Sequence, residues 1–124
     1  MSASWQAELD RAVDLRFDEL VKVRRHIHAN PEPSGEEFKT TLYLYQLFSD
    51  RGFRVDMGPE GRGAVVEPNR RRRPAARVAI RADIDALVIG DQKSVSYASR
   101  NEGVMHACGH DAHTAAVLGA ILSL

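Results

Sequence analysis

The chain has 124 residues, with 17 lysines and arginines balanced by 17 aspartates and glutamates, and a single cysteine. That length suits one domain with its own core and leaves no room for two lobes around a cleft, and the balanced charge gives no pull toward nucleic acid or an anionic membrane surface. One cysteine excludes an internal disulfide framework, so Cys108 is left for packing, metal binding or thiol chemistry.

The opening MSASWQAELD has no basic segment followed by an apolar run, and no later stretch is long enough to span a bilayer, so the expectation is a soluble, cytoplasmic protein. From Ser4 to about His28 the apolar positions Trp5, Leu9, Val13, Phe17, Leu20, Val23 and Ile27 recur every three or four residues, which predicts one long amphipathic helix. Asn30, Pro31 and Pro33 end it. Ser34 and Glu37 then form an S-x-x-E capping pattern, predicting a second helix from about Gly35 to Arg51 with Phe38, Leu42, Tyr45 and Phe48 buried. Gly52 supplies a left-handed stop that turns the chain into Phe53-Arg54-Val55. Two strands follow, Gly61 to Glu67 and Ala76 to Asp83, joined by the polar stretch PNRRRRP. Arg70 to Arg73 read as a solvated hairpin tip, because neither aromatics nor a wider basic face accompany them as a nucleic-acid surface requires.

This order of elements is α/β, a class in which sites gather at the carboxyl ends of strands. In ARVAIRADIDAL, Val78, Ile80, Ala82 and Ile84 alternate with Ala79, Arg81, Asp83 and Asp85, so two carboxylates share one side as the strand ends. Such a pair can bind a metal, orient a histidine or hold a proton; equally, it can cap a loop or pair with Arg81.

The densest chemistry lies in HACGHDAH, residues 106–113, with three histidines, a cysteine and an aspartate. Cys108 and His110 flank Gly109, whose freedom lets a thiolate and an imidazole turn onto one divalent ion. Asp111 fits the N-cap of a final helix carrying His113 in its first turn. Two other readings stay open: a buried thiol with histidines that satisfy backbone groups, and a Cys108 nucleophile with His110 or His113 as base. The two-residue spacing suits shared ligation better than a base facing its nucleophile.

The segments HIHANPEPSGEEF, RADIDAL and YASRNEGVMHACGHDAHTA together resemble the amino-terminal part of the metal-dependent aminoacylase and carboxypeptidase family, in its hippurate hydrolase and N-acyl-amino-acid amidohydrolase branch. The resemblance runs from about Val23 onward. It implies that residues 1–124 form the amino-terminal portion of a metallopeptidase-like catalytic domain, with a mixed sheet flanked by helices. It implies hydrolysis of the amide bond of small N-acyl amino acids at a centre of two divalent ions, manganese, zinc or cobalt, in a protein that forms homo-oligomers at full length.

Carried over by position, Cys108 and His110 stand where this branch has metal ligands, and Asp85 matches the aspartate that supports the site. Asp83 occupies a place where relatives outside the branch have a metal-binding histidine. His26 and His28 fall on a helix end, and His106 and His113 are candidates for supporting or substrate contacts. Val88, Ser96 and Glu102 replace common family prolines, which implies a looser loop toward the site. The resemblance places a general-base glutamate, a neighbouring glutamate ligand and two further histidine ligands beyond Leu124. AAVLGAILSL is apolar on almost every side, which predicts a helix covered by protein all round. The expectation is therefore a fragment inactive alone; the alternative is a non-catalytic metal-binding or subunit-interaction module.

Overall fold

The computed structural model describes residues 4–69 and 73–123. Its elements are α1 (Trp5–Asp14), α2 (Phe17–Ala29), α3 (Phe38–Ser49), β1 (Arg54–Met57), a 3-10 turn (Pro59–Gly61), β2 (Ala64–Glu67) and α4 (His110–Ser123).

The expected first helix is two helices, broken at Leu15 and Arg16. The spacing explains the break. The apolar positions step by four residues as far as Phe17 and by three or four thereafter, and at ~3.6 residues per turn a run of fours swings the stripe around the helix. One straight helix cannot bury all seven positions. The break leaves α1 without a buried residue, Trp5 included, while α2 buries Val23 and Ile27.

Helix α3 starts at Phe38, and Ser34 does not cap it. The Glu32 carboxylate does so instead, accepting from Lys39 N at 3.0 Å, Thr40 N at 2.6 Å and Thr40 Oγ1 at 2.7 Å, while Glu37 accepts from Gly35 N. The buried face is Thr40, Thr41, Leu44 and Phe48. Of the expected stripe only Phe48 is buried; Phe38, Leu42 and Tyr45 are exposed. Threonine turns inward because its hydroxyl is satisfied on the spot: Thr41 Oγ1 donates to Glu37 O and accepts from Gly63 N.

Gly52 has φ +79° and ends α3 as expected, with Phe53 N bonded back to Phe48 O at 3.1 Å. The chain enters β1, which pairs antiparallel with β2 in the register Val55↔Val66. This two-stranded ribbon is the sheet component among the described residues, and with the helices it makes the class α/β as expected. The segment 76–83 is not a strand. An alternating pattern needs neighbouring strands on which to ladder, and without them Val78 is 89% and Ile80 55% exposed. Beyond it, single bridges join Pro33 to Ala86 and Leu87 to Met105. Arg70, Arg71 and Arg72 of the basic stretch lie outside the described residues.

Val23, Ile27, Leu44, Phe48 and Leu118 form the core, drawn from α2, α3 and α4. Helix α4 packs most heavily on α2, and Gly119 lets it come close: a Cβ there would meet Leu20 Cδ1 at 2.8 Å. α4 buries Asp111, Thr114, Ala115, Leu118 and Gly119. It is covered on one face and not all round. No helix among the described residues is long and apolar enough to cross a membrane.

Candidate metal centre

The turn that carries Cys108 and His110 is held from both sides. Before it, Leu87 and Met105 exchange two backbone hydrogen bonds of 3.0 Å, which sets residues 106–110 beside the chain just past Asp85. After it, α4 begins at His110, so Asp111 lies inside the first turn and is not the cap the sequence suggests. Gly109 between the two donors has φ +88°, where a side chain would be strained by about 1–2 kcal/mol.

Asp85 is the hub. Its carboxylate Oδ1 lies 2.8 Å from His110 Nδ1, and its carbonyl oxygen lies 3.1 Å from the same nitrogen. Cys108 Sγ donates to that carbonyl at 3.7 Å. Both oxygens that face Nδ1 are acceptors, so the neutral tautomer that satisfies them donates from Nδ1 and presents Nε2 to an ion. The three residues singled out from sequence are thus brought together.

Asp83 goes elsewhere. Arg81 Nε and Nη2 both bond its Oδ1, at 3.0 and 2.8 Å, and this holds its carboxyl below the usual carboxylate range. Both aspartates still line one open polar cleft of about 470 Å³, with Ser34, Glu37, Arg62 and His110. His113 lies with its ring 6.0 Å from that of His110.

His26 and His28 sit on the last turn of α2. His26 stacks on Tyr43 at 3.9 Å. His28 is buried, its Nδ1 2.7 Å from Asp111 Oδ2. His106 is buried too, and neither ring nitrogen has a hydrogen-bond partner among the described residues. Burial pushes its pKa down. The folded state therefore takes up a proton at His106 less readily than the unfolded chain, whose value is about 6.5. This part of the stability is complete above that value and is lost as pH falls toward the folded pKa. Urea unfolding at pH 7.5 and 5 should show the loss, and His106→Leu should flatten it.

The donor set was tested against a divalent ion. A thiolate, an imidazole with a free Nε2 and a carboxylate orienting that imidazole suit a borderline transition metal. Among the described residues no group of three or more such side chains converges on one point. The donors fit as one side of a centre, not as a closed cage.

The chain is similar to known proteins along most of its length. The peptidase family M20/M25/M40 matches residues 79–124. The chain is 41% identical over 112 residues to the N-acyl-L-amino acid amidohydrolase of Geobacillus stearothermophilus, covering 90% of this chain and 30% of that one. Over residues 79–124 it is similar to the M20 peptidases. The N-acetyl-L-cysteine deacetylase of Bacillus subtilis is 42% identical over 107 residues, 86% of this chain and 25% of that protein. A solved dinuclear metal-binding M20 peptidase from Bacillus subtilis superposes with a TM-score of 0.80 at 35% identity, covering 88% of this chain and 31% of that one. The chain spans 25% to 30% of the length of the two enzymes named.

Sequence reasoning missed the partners of Asp111: Arg24 Nε at 2.8 Å and His28. The four-residue spacing puts Arg24 and His28 on one face of α2, but no sequence signal pairs that face with Asp111.

Proposed function

We propose that this chain carries one side of a divalent-metal centre in an enzyme that hydrolyses the amide bond of N-acyl amino acids. The observation that carries the reading is the Asp85 carboxylate on His110 Nδ1, with Cys108 on the same residue's carbonyl. That arrangement frees His110 Nε2 and the Cys108 thiolate to hold the ion, with Asp85 orienting the imidazole. A bound divalent ion would polarise a scissile carbonyl and make water nucleophilic at neutral pH. Arg81 keeps Asp83 anionic at the cleft edge. The substrate class and the use of two ions rest on what the relatives are called. Manganese, zinc and cobalt are the proposed metals, and a cytoplasmic homo-oligomer the proposed setting. Residues 1–124 are proposed as the amino-terminal portion of the catalytic domain.

The test is an exchange. This chain replaces the matching segment of the Geobacillus stearothermophilus amidohydrolase, and the product is assayed on hippurate and N-acetyl amino acids. Turnover that a chelator abolishes and added manganese, zinc or cobalt restores is expected. Turnover indifferent to chelator would overturn the reading. The small donor count favours a second reading, a non-catalytic metal-binding module. It predicts metal binding by the chain and no turnover in the chimera.

A further inference from the structure

Asp111 is 1% exposed, yet it carries a carboxylate. Its Oδ2 accepts from Arg24 Nε at 2.8 Å and from His28 Nδ1 at 2.7 Å, while Oδ1 has no partner among the described residues. His28 is itself buried, and its Nε2 likewise lacks a hydrogen bond among the described residues. Nearby, Asp91 Oδ2 lies 3.8 Å from that nitrogen, while Asp91 accepts from Lys93 N, Lys93 Nζ and Ser99 N.

A cluster this polar is a poor adhesive. Buried ion pairs are often no more stabilising than apolar residues of the same volume, and every unpartnered atom adds a desolvation cost. The α2–α4 contact does not need it either, since the core cluster of Val23, Ile27 and Leu118 and the close approach of Leu20 to Gly119 already join the two helices. What the cluster does supply is direction. It seizes the residue next to His110 and fixes the rotation of the first turn of α4 about its own axis. The other flank of the donor turn is pinned at Leu87 and Met105. Between these two anchors lie Cys108 and His110, whose ring meets Asp85.

We infer that the Arg24–Asp111–His28 triad, buried at Asp111 and His28 and partly exposed at Arg24, is a positioning device, which sets the orientation of His110 toward Asp85 from the far side of the donor turn. Its use in metal binding rests on the function proposed above; the orientation itself does not.

The experiment has two readouts on the whole 124-residue chain. Long-range proton–nitrogen NMR of the metal-free protein reports the His110 tautomer. Cobalt(II) titration, followed by the thiolate absorption of Cys108, reports the donor pair. The variants are Asp111→Asn, His28→Ala and His28→Gln, with Phe48→Leu as a core substitution that lowers stability without touching the triad. In the native chain His110 should be fixed with its proton on Nδ1. Asp111→Asn and His28→Ala should give mixed tautomers and cobalt binding weaker by roughly 10- to 100-fold, the range for lost outer-sphere partners. His28→Gln keeps a donor for Asp111 and should restore much of both. Phe48→Leu should change neither. Folded Asp111→Asn and His28→Ala proteins with native His110 tautomer and native cobalt affinity would overturn the inference. If Asp111→Asn fails to fold, the His28 pair decides alone. If the tautomer responds as expected but the native chain shows no cobalt–thiolate absorption, the metal reading fails and the positioning role stands.

Discussion

Truncating Leu118 to alanine should lower the unfolding free energy by about 2–5 kcal/mol. Leu118 is 1% exposed and belongs to the buried core cluster to which α2 and α3 also contribute. Its α4 neighbours Ile121 and Leu122 are only partly buried, so they cannot close the cavity without moving the helix. Urea unfolding should show a lower midpoint with an unchanged slope. A loss below about 1 kcal/mol, the size of an ordinary substitution, would mean that α4 is not seated as described. The donor turn depends on that seat, since His110 opens the same helix.

The second large effect concerns Cys108 itself. As a donor, Cys108→Ala should lose metal affinity by more than the roughly 10- to 100-fold that removal of an outer partner costs. Asp85→Asn, which leaves both donors but weakens the grip on His110, should fall within that range. Cys108→Asp keeps an anionic donor and should retain partial binding, shifted toward harder ions because oxygen is harder than sulfur. A nucleophilic cysteine behaves differently: in the chimeric enzyme Cys108→Ala would keep its metal and lose turnover by several orders of magnitude. Isothermal titration across manganese, zinc and cobalt separates the two patterns.

Much of this was legible in the residues, and the limits have a physical cause. Local chemistry read correctly: Gly52 as a left-handed stop, a strand ending at Glu67, and a helix over the apolar end of the chain. The nearness of Asp85 to Cys108 and His110 was implied by the family resemblance of RADIDAL and MHACGHDAHT, not by spacing. Contacts made at long range did not announce themselves. His28 and Asp111 are 83 positions apart, and nothing in periodicity links them. Glu32 displaced Ser34 as the cap of α3 because a carboxylate arriving from the preceding turn satisfies two backbone N–H groups at once. The alternation from Val78 to Ile84 reads as a strand, but pairing is supplied by neighbours and not by the strand's own residues. Ile84 reaches the core and Val78 remains in solvent.

Cobalt(II) titration of the native chain beside Cys108→Ala tests the central claim most directly, because thiolate-to-cobalt absorption arises only when sulfur is bound to the ion. One such band should grow to saturation in the native chain, vanish on chelation, and be absent from Cys108→Ala. Cobalt bound without that band, or bound equally well by Cys108→Ala, would contradict the assignment of Cys108 and His110 as the donor pair.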